Sequence, residues 1–140
     1  FGPFLVTMDD EELQKHRVST PMGNQYDLKM VARHNGKQVS SANLKDMTYT
    51  FAEIIERISY GTEIFPGDVI GSGTVGTGCY MELNGTWGLQ AKEKGEHFSP
   101  VWLKPGDTME LEVEILGVLK NTLVQVPGGY SILEKKRKAT

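Results

Sequence analysis

The chain has 140 residues, 39% of them hydrophobic and 24% charged, with a net charge of −3. This is the composition of one globular domain with a core of its own, and its mild acidity argues against the basic face that nucleic acid requires. No apolar run approaches the roughly 20 residues that span a bilayer. The single cysteine, Cys79, excludes an intrachain disulfide and fits a reducing compartment, the cytoplasm. The first residue is Phe1, not methionine, so the expectation is a processed chain or part of a longer one.

Taken in order, Phe1 to Thr7 is short and apolar with Pro3 near its start, and reads as a strand entry. Met8 to Leu13 is acidic and suits a helical turn or a loop. Tyr26, Leu28, Met30 and Ala32 alternate with Asp27, Lys29 and Arg33, the period-two pattern of a half-buried strand. Asn35-Gly36 is a strong hairpin signal, with Gln38 to Ser41 as the returning strand. Thr50 followed by Glu53 makes a capping box, and Phe51, Ile54, Ile55 and Ile58 then share one face of a helix that Gly61 ends.

Pro66 to Gly85, PGDVIGSGTVGTGCYMELNG, is the densest stretch for chemistry. A Pro-Gly-Asp turn feeds a short apolar strand (Val69, Ile70), then a glycine-rich run, then an alternation placing Glu82 between Met81 and Leu83. Glycine at this density lets a backbone approach a ligand closely, so the hydroxyl of Thr74 and the carboxylate of Glu82 could face one pocket. The competing reading is a crossover between strands, with Thr74 capping backbone and Glu82 in water. A phosphate-binding loop is excluded, because no Gly-Lys-Ser/Thr follows and no helical pattern opens behind it.

Asn84 to Ser99 reads as a long polar surface loop pinned by Trp87 and Trp102. A second Pro-Gly-Asp, Pro105 to Asp107, repeats the turn grammar. Met109, Leu111, Val113 and Ile115 then alternate with Glu110, Glu112 and Glu114, a strand whose carboxylates suggest a solvated edge, and Val118 to Val126 returns. Glu134 to Lys138 is a basic, solvated tail. Mostly β (α+β), with one helix and a rolled mixed sheet, is the expected fold class.

Other chemistries find no support. His16, His34 and His97 lie far apart without partners at metal-ligand spacing and read as surface histidines. Cys79 has no nucleophile signature around it. Ser72 lacks the glycines two residues to either side that a serine-hydrolase elbow needs.

The order GPFLVT, YDLKMVARHNGKQVSSANLKDMTYTFAEIIERIS, FPGDVIGSGTVGTGCYMEL, LKPGDTMELEVEILGVLKNTLV resembles the C-terminal catalytic domain of the fumarylacetoacetate hydrolase family. The landmarks are Gly2-Pro3, Asn35-Gly36, Asn43 with Met47, the two Pro-Gly-Asp turns, Gly73-Thr74, and Gly117 with Leu119 and Asn121. The resemblance implies that residues 1–126 are the C-terminal part of a β-roll catalytic domain and that 127–140 are a polar tail. It further implies a homodimeric hydrolase that cleaves a carbon–carbon bond in a β-diketo or 2-oxo acid; the expectation of no nucleic-acid or membrane partner comes from the composition. The alternatives are a decarboxylase, isomerase or hydratase on the same site, or a non-catalytic module kept for binding or subunit pairing.

The resemblance also implies a divalent cation (Mg2+, Mn2+ or Ca2+) whose ligands, like the family's lysine, precede Gly2. The chain alone is then expected to be inactive. Thr74 matches the family threonine that hydrogen-bonds the substrate carboxylate, although Val75 stands where many members have proline. Glu82 falls where the namesake hydrolases carry a glutamate that orients the attacking water, a general-base role.

Overall fold

The computed structural model describes residues 2–128; the basic segment 134–138 lies outside the described residues. Among the described residues are three α-helices, a short 3-10 helix (Leu44–Asp46) and six strands, the strands lying in two antiparallel sheets. The elements are α1 (Glu11–Lys15), β1 (Arg17–Thr20), β2 (Gly23–Tyr26), β3 (Lys29–His34), β4 (Lys37–Asn43), α2 (Phe51–Ile58), α3 (Tyr80–Glu93), β5 (Thr108–Val113) and β6 (Gly117–Thr122). The α+β class expected from the sequence is the one observed.

The β1–β2 hairpin stands by itself, and the larger sheet runs β4-β3-β5-β6. Asn35 and Gly36, at φ 50 and 78, supply the left-handed pair that a tight β3–β4 turn needs. Asn35 also donates from Nδ2 to Asp107 and accepts from the Thr108 N–H. The same turn is thereby tied to the start of β5. The two Pro-Gly-Asp turns are built alike: Asp68 accepts from the Phe65 N–H, and Asp107 from the Lys104 N–H.

The capping box forms as read. Thr50 Oγ1 accepts from the Glu53 N–H while the Glu53 carboxylate accepts from the Thr50 N–H. Thr50 is buried and also donates to the Met22 carbonyl, so the start of α2 is fastened to the β1–β2 turn. Of the apolar face, Phe51 and Ile54 are half-buried, whereas Ile55 and Ile58 are exposed.

Several expectations are corrected. Residues 2–7 form no strand: Phe4 and Leu5 stand exposed, and only Val6 reaches the core. The strand read from Tyr26 to Arg33 breaks between β2 and β3, because the Asp27 N–H turns to the His16 carbonyl and the Leu28 N–H to that of Tyr26. The break drives Leu28 inward to 1% exposure, against Leu13 and Tyr26. Val69 and Ile70 form no strand, and Val69 is exposed.

β5 is no edge, since it lies between β3 and β6. The carboxylates on it and just after it are engaged: Glu110 pairs with Lys120, Glu112 with Arg33, and Glu114 accepts from the Lys29 N–H.

The largest correction concerns residues 80–93. Glu82 lies in the first turn of a helix, and most of the expected surface loop is that helix. Gly85 and Gly88 disfavour a helix locally by roughly 1 kcal/mol each, and tertiary contacts override them. Leu83 and Asn84 are buried. The Asn84 side chain donates to the Val101 carbonyl and accepts from the Val101 N–H. At Gly88 a Cβ would stand 3.3 Å from the Phe98 ring, so the missing side chain is what lets Phe98 pack there.

Candidate active site

The glycine-rich segment between Gly71 and Gly78 crosses one face of the larger sheet. A groove of about 940 Å³ opens between them, with Met30, Ala32, Ser40 and Leu111 on the sheet side and Thr74 and Thr77 on the loop side. It is apolar in the main with hydroxyls along one wall, the composition of a small-molecule site. Ile54 of α2 also lines it.

Thr74 therefore stands on the groove wall and is exposed to solvent. Glu82 is not among the lining residues, but both its carboxylate oxygens lie 2.9 Å from the N–H of Thr77, which is. Thr77 in turn hydrogen-bonds the buried Ser40 hydroxyl at 2.9 Å. The loop that carries Thr74 is thus joined to β4 on one side and to α3 on the other. Ser40 and Thr77 went unnoticed in the sequence, where a serine at one inward position of a strand gives no signal of its partner.

A second polar cluster holds the start of α3. The Tyr80 hydroxyl lies 2.6 Å from His34 Nδ1, and the far ring nitrogen, Nε2, lies 3.0 Å from Asp107 Oδ2. Nε2 is buried and its approach to Asp107 is off-line for a hydrogen bond. His34 is thus no surface histidine: its side chain is 12% exposed, because the second Pro-Gly-Asp turn folds over it. Trp87, two turns along α3, meets Tyr80 edge-on with ring centroids 6.3 Å apart, whereas Trp102 is half exposed.

Burial first, and then the charge of Asp107, pushes the Tyr80 phenol up, so it keeps its proton. The Asn35 amide, then the Lys104 N–H, then His34 hold the Asp107 carboxyl down at about 2. A carboxyl lowered from 3.8 to about 2 adds stability that is fully present above pH 3.8 and is lost as pH falls through about 2. Melting curves taken downward through that window should therefore show a loss of stability that is smaller in Asp107→Asn, which has no proton to take up.

Among the described residues no three His, Cys, Asp or Glu side chains gather closely enough to hold a metal ion. They do not fit a divalent-cation site. Nor, among those residues, is any helix long and apolar enough to cross a membrane.

The family model for the fumarylacetoacetate (FAA) hydrolase C-terminal domain matches residues 1–124. The chain belongs to the fumarylacetoacetate hydrolase family.

Among curated relatives, human oxaloacetate tautomerase FAHD2B, mitochondrial, is 33% identical over 124 residues, covering 88% of this chain and 31% of that protein. The 2,4-didehydro-3-deoxy-L-rhamnonate hydrolase of a Sphingomonas strain is 31% identical over 117 residues, covering 83% of this chain and 32% of that protein. Among solved structures, fumarylacetoacetate hydrolase from Exiguobacterium antarcticum superposes with a TM-score of 0.52 at 28% identity, over 71% of this chain and 31% of that one. A crystal structure from Mycobacterium smegmatis reaches a TM-score of 0.62 at 26% identity, over 89% of this chain and 36% of that one. The chain spans about a third of the length of the relatives it matches.

Proposed function

We propose that the chain forms part of a hydrolase that cleaves a carbon–carbon bond in a β-diketo or 2-oxo acid of the fumarylacetoacetate or acylpyruvate type. The observation that carries this is the groove itself, with a free hydroxyl at Thr74 and a carboxylate at Glu82 held against the neighbouring lining residue Thr77. In this reading Thr74 Oγ1 donates to the substrate carboxylate and fixes its orientation. Glu82 takes a proton from water, the water oxygen adds to the distal carbonyl, and the bond between the carbonyl carbons' shared neighbour and that carbon breaks. The departing carbon is left as an enolate and takes a proton back. A divalent cation held by residues outside this chain, a homodimer and a cytoplasmic location belong to the same proposal, the last resting on the lone Cys79.

Thr74→Val tests it. A hydrogen bond to a charged partner contributes about 1.5–3 kcal/mol, so the Michaelis constant for an acylpyruvate should rise by one to two orders of magnitude. The assay belongs on the protein expressed from its complete reading frame. An unchanged Michaelis constant and turnover would remove Thr74 from the site.

A second reading is favoured by the human and bovine relatives, which are named oxaloacetate tautomerases. There Glu82 would move a proton between carbon and oxygen of a 2-oxo acid, with no bond between carbons broken. Product analysis separates the two: pyruvate and a second acid from acetylpyruvate support the hydrolase. Interconversion of enol and keto oxaloacetate without cleavage supports the tautomerase.

A further inference from the structure

Thr77 occupies a backbone position that its side chain disfavours. Its φ is 67, in the left-handed region that a residue branched at Cβ rarely takes. It is the third residue of the turn closed by the hydrogen bond from the Gly78 N–H to the Val75 carbonyl, the place where such turns ordinarily carry glycine. Position 78 is itself restricted to glycine, since a Cβ there would come within 2.8 Å of the Val75 carbonyl oxygen. Strain of this kind persists where surrounding contacts over-determine it, and such places cluster at functional sites.

The contacts that hold Thr77 are specific. Its Oγ1 shares a hydrogen bond with Ser40, which is buried in β4, and its N–H is taken by the Glu82 carboxylate. Glycine at this position would satisfy the turn without strain, yet it would lose the link to the sheet. Thr74 lies three residues upstream on the same turn-bearing segment, and Ser40, Thr74 and Thr77 all line the groove. We infer that Ser40 and Thr77 are positioning residues: their shared hydrogen bond sets the height of the glycine-rich loop above the sheet, and with it the place of the Thr74 hydroxyl. This rests on the reading of Thr74 as the group that binds the substrate carboxylate.

Moving the Thr74 hydroxyl out of reach of a substrate carboxylate removes a hydrogen bond to a charged group, so the link should show in ligand affinity even where the fold is intact. The test uses the protein expressed from its complete reading frame, with oxaloacetate and acetylpyruvate as substrates and oxalate as a non-reacting probe whose affinity is measured by calorimetry. Thr77→Gly and Ser40→Ala should each raise the Michaelis constant and weaken oxalate by about tenfold or more, with a smaller change in turnover. Thr77→Gly should do so without lowering the melting temperature, since glycine relaxes the turn; a merely structural threonine would give no loss of affinity in a protein that is equally stable. Thr77→Ser keeps the hydroxyl and should behave as the parent. Normal affinity in Thr77→Gly and Ser40→Ala, beside a clear loss in Thr74→Val, would overturn the inference while leaving the function standing. Normal affinity in Thr74→Val would overturn both.

Discussion

Glu82→Gln, in the protein expressed from its complete reading frame, is expected to lower turnover by about 10²–10⁴-fold, the usual range for loss of a general base. The substitution is chosen for what it keeps. Glutamine still offers a carbonyl oxygen to the Thr77 N–H that Glu82 now accepts through both oxygens. The loop stays clasped to α3, and only the charge and the proton affinity are lost. Glu82 sits in the first turn of α3, where a negative charge interacts favourably with the helix dipole; the variant should therefore lose only a little stability. A large loss of turnover with the Michaelis constant and melting temperature nearly unchanged would assign the proton transfer to this carboxylate. A folded variant with near-normal turnover would make Glu82 a loop clasp and nothing more, and the hydrolase reading would lose its best local support.

Leu28→Ala should produce the largest loss of stability, about 2–5 kcal/mol. At 1% exposure Leu28 is the most deeply buried side chain among the described residues, and it packs with Leu13 and Tyr26 beneath Val6, Leu44, Val113 and Ile115. Those neighbours come from α1, β2, β5 and the segments around them, so one truncation loosens several elements together. The backbone adds to the penalty: the Leu28 carbonyl accepts from the Leu44 N–H, which limits how far the site can collapse around the cavity. Chemical denaturation, with the midpoint read at constant slope, measures it. A change within ~0.5 kcal/mol, the scale of a surface substitution, would mean that this cluster is not the core.

What was legible in the sequence was local. Thr50 and Glu53 announce α2, Asn35-Gly36 announces a hairpin, and the two Pro-Gly-Asp turns announce themselves, because each signal and its partner lie within four residues. α3 was illegible for the opposite reason. Gly85 and Gly88 speak against a helix, and the groups that secure it are distant: Val101 on Asn84, Phe98 at Gly88, His34 on Tyr80. Reading Glu82 as a strand residue followed from the same gap, since Met81-Glu82-Leu83 alternates as well as any strand. The carboxylates of β5 misled in a related way. Three glutamates on one face suggest water, and the two cations that answer them, Arg33 and Lys120, cannot be found without the sheet order. At the candidate site, Thr74 and Glu82 could be named from the resemblance, but Ser40 and Thr77 needed the fold.

The order of the larger sheet also governs how it can assemble. β3 has one neighbour beside it in the chain, β4, and another, β5, that is synthesised long afterwards; Arg33 and the Glu112 it meets are 79 residues apart. The β3–β4 hairpin can close early, but a lone two-stranded ribbon is marginal in water, and the pairing that would secure it waits on a distant stretch. Bringing such ends together carries a loop-closure penalty before any contact repays it, and chains dominated by pairings of this kind fold slowly. During that interval one side of β3 is an open edge with unmatched N–H and C=O groups, the situation that invites strands of other molecules. In a nascent or refolding chain, the hazard of intermolecular pairing therefore concentrates on Lys29–His34, a strand that ends up with a partner on each side.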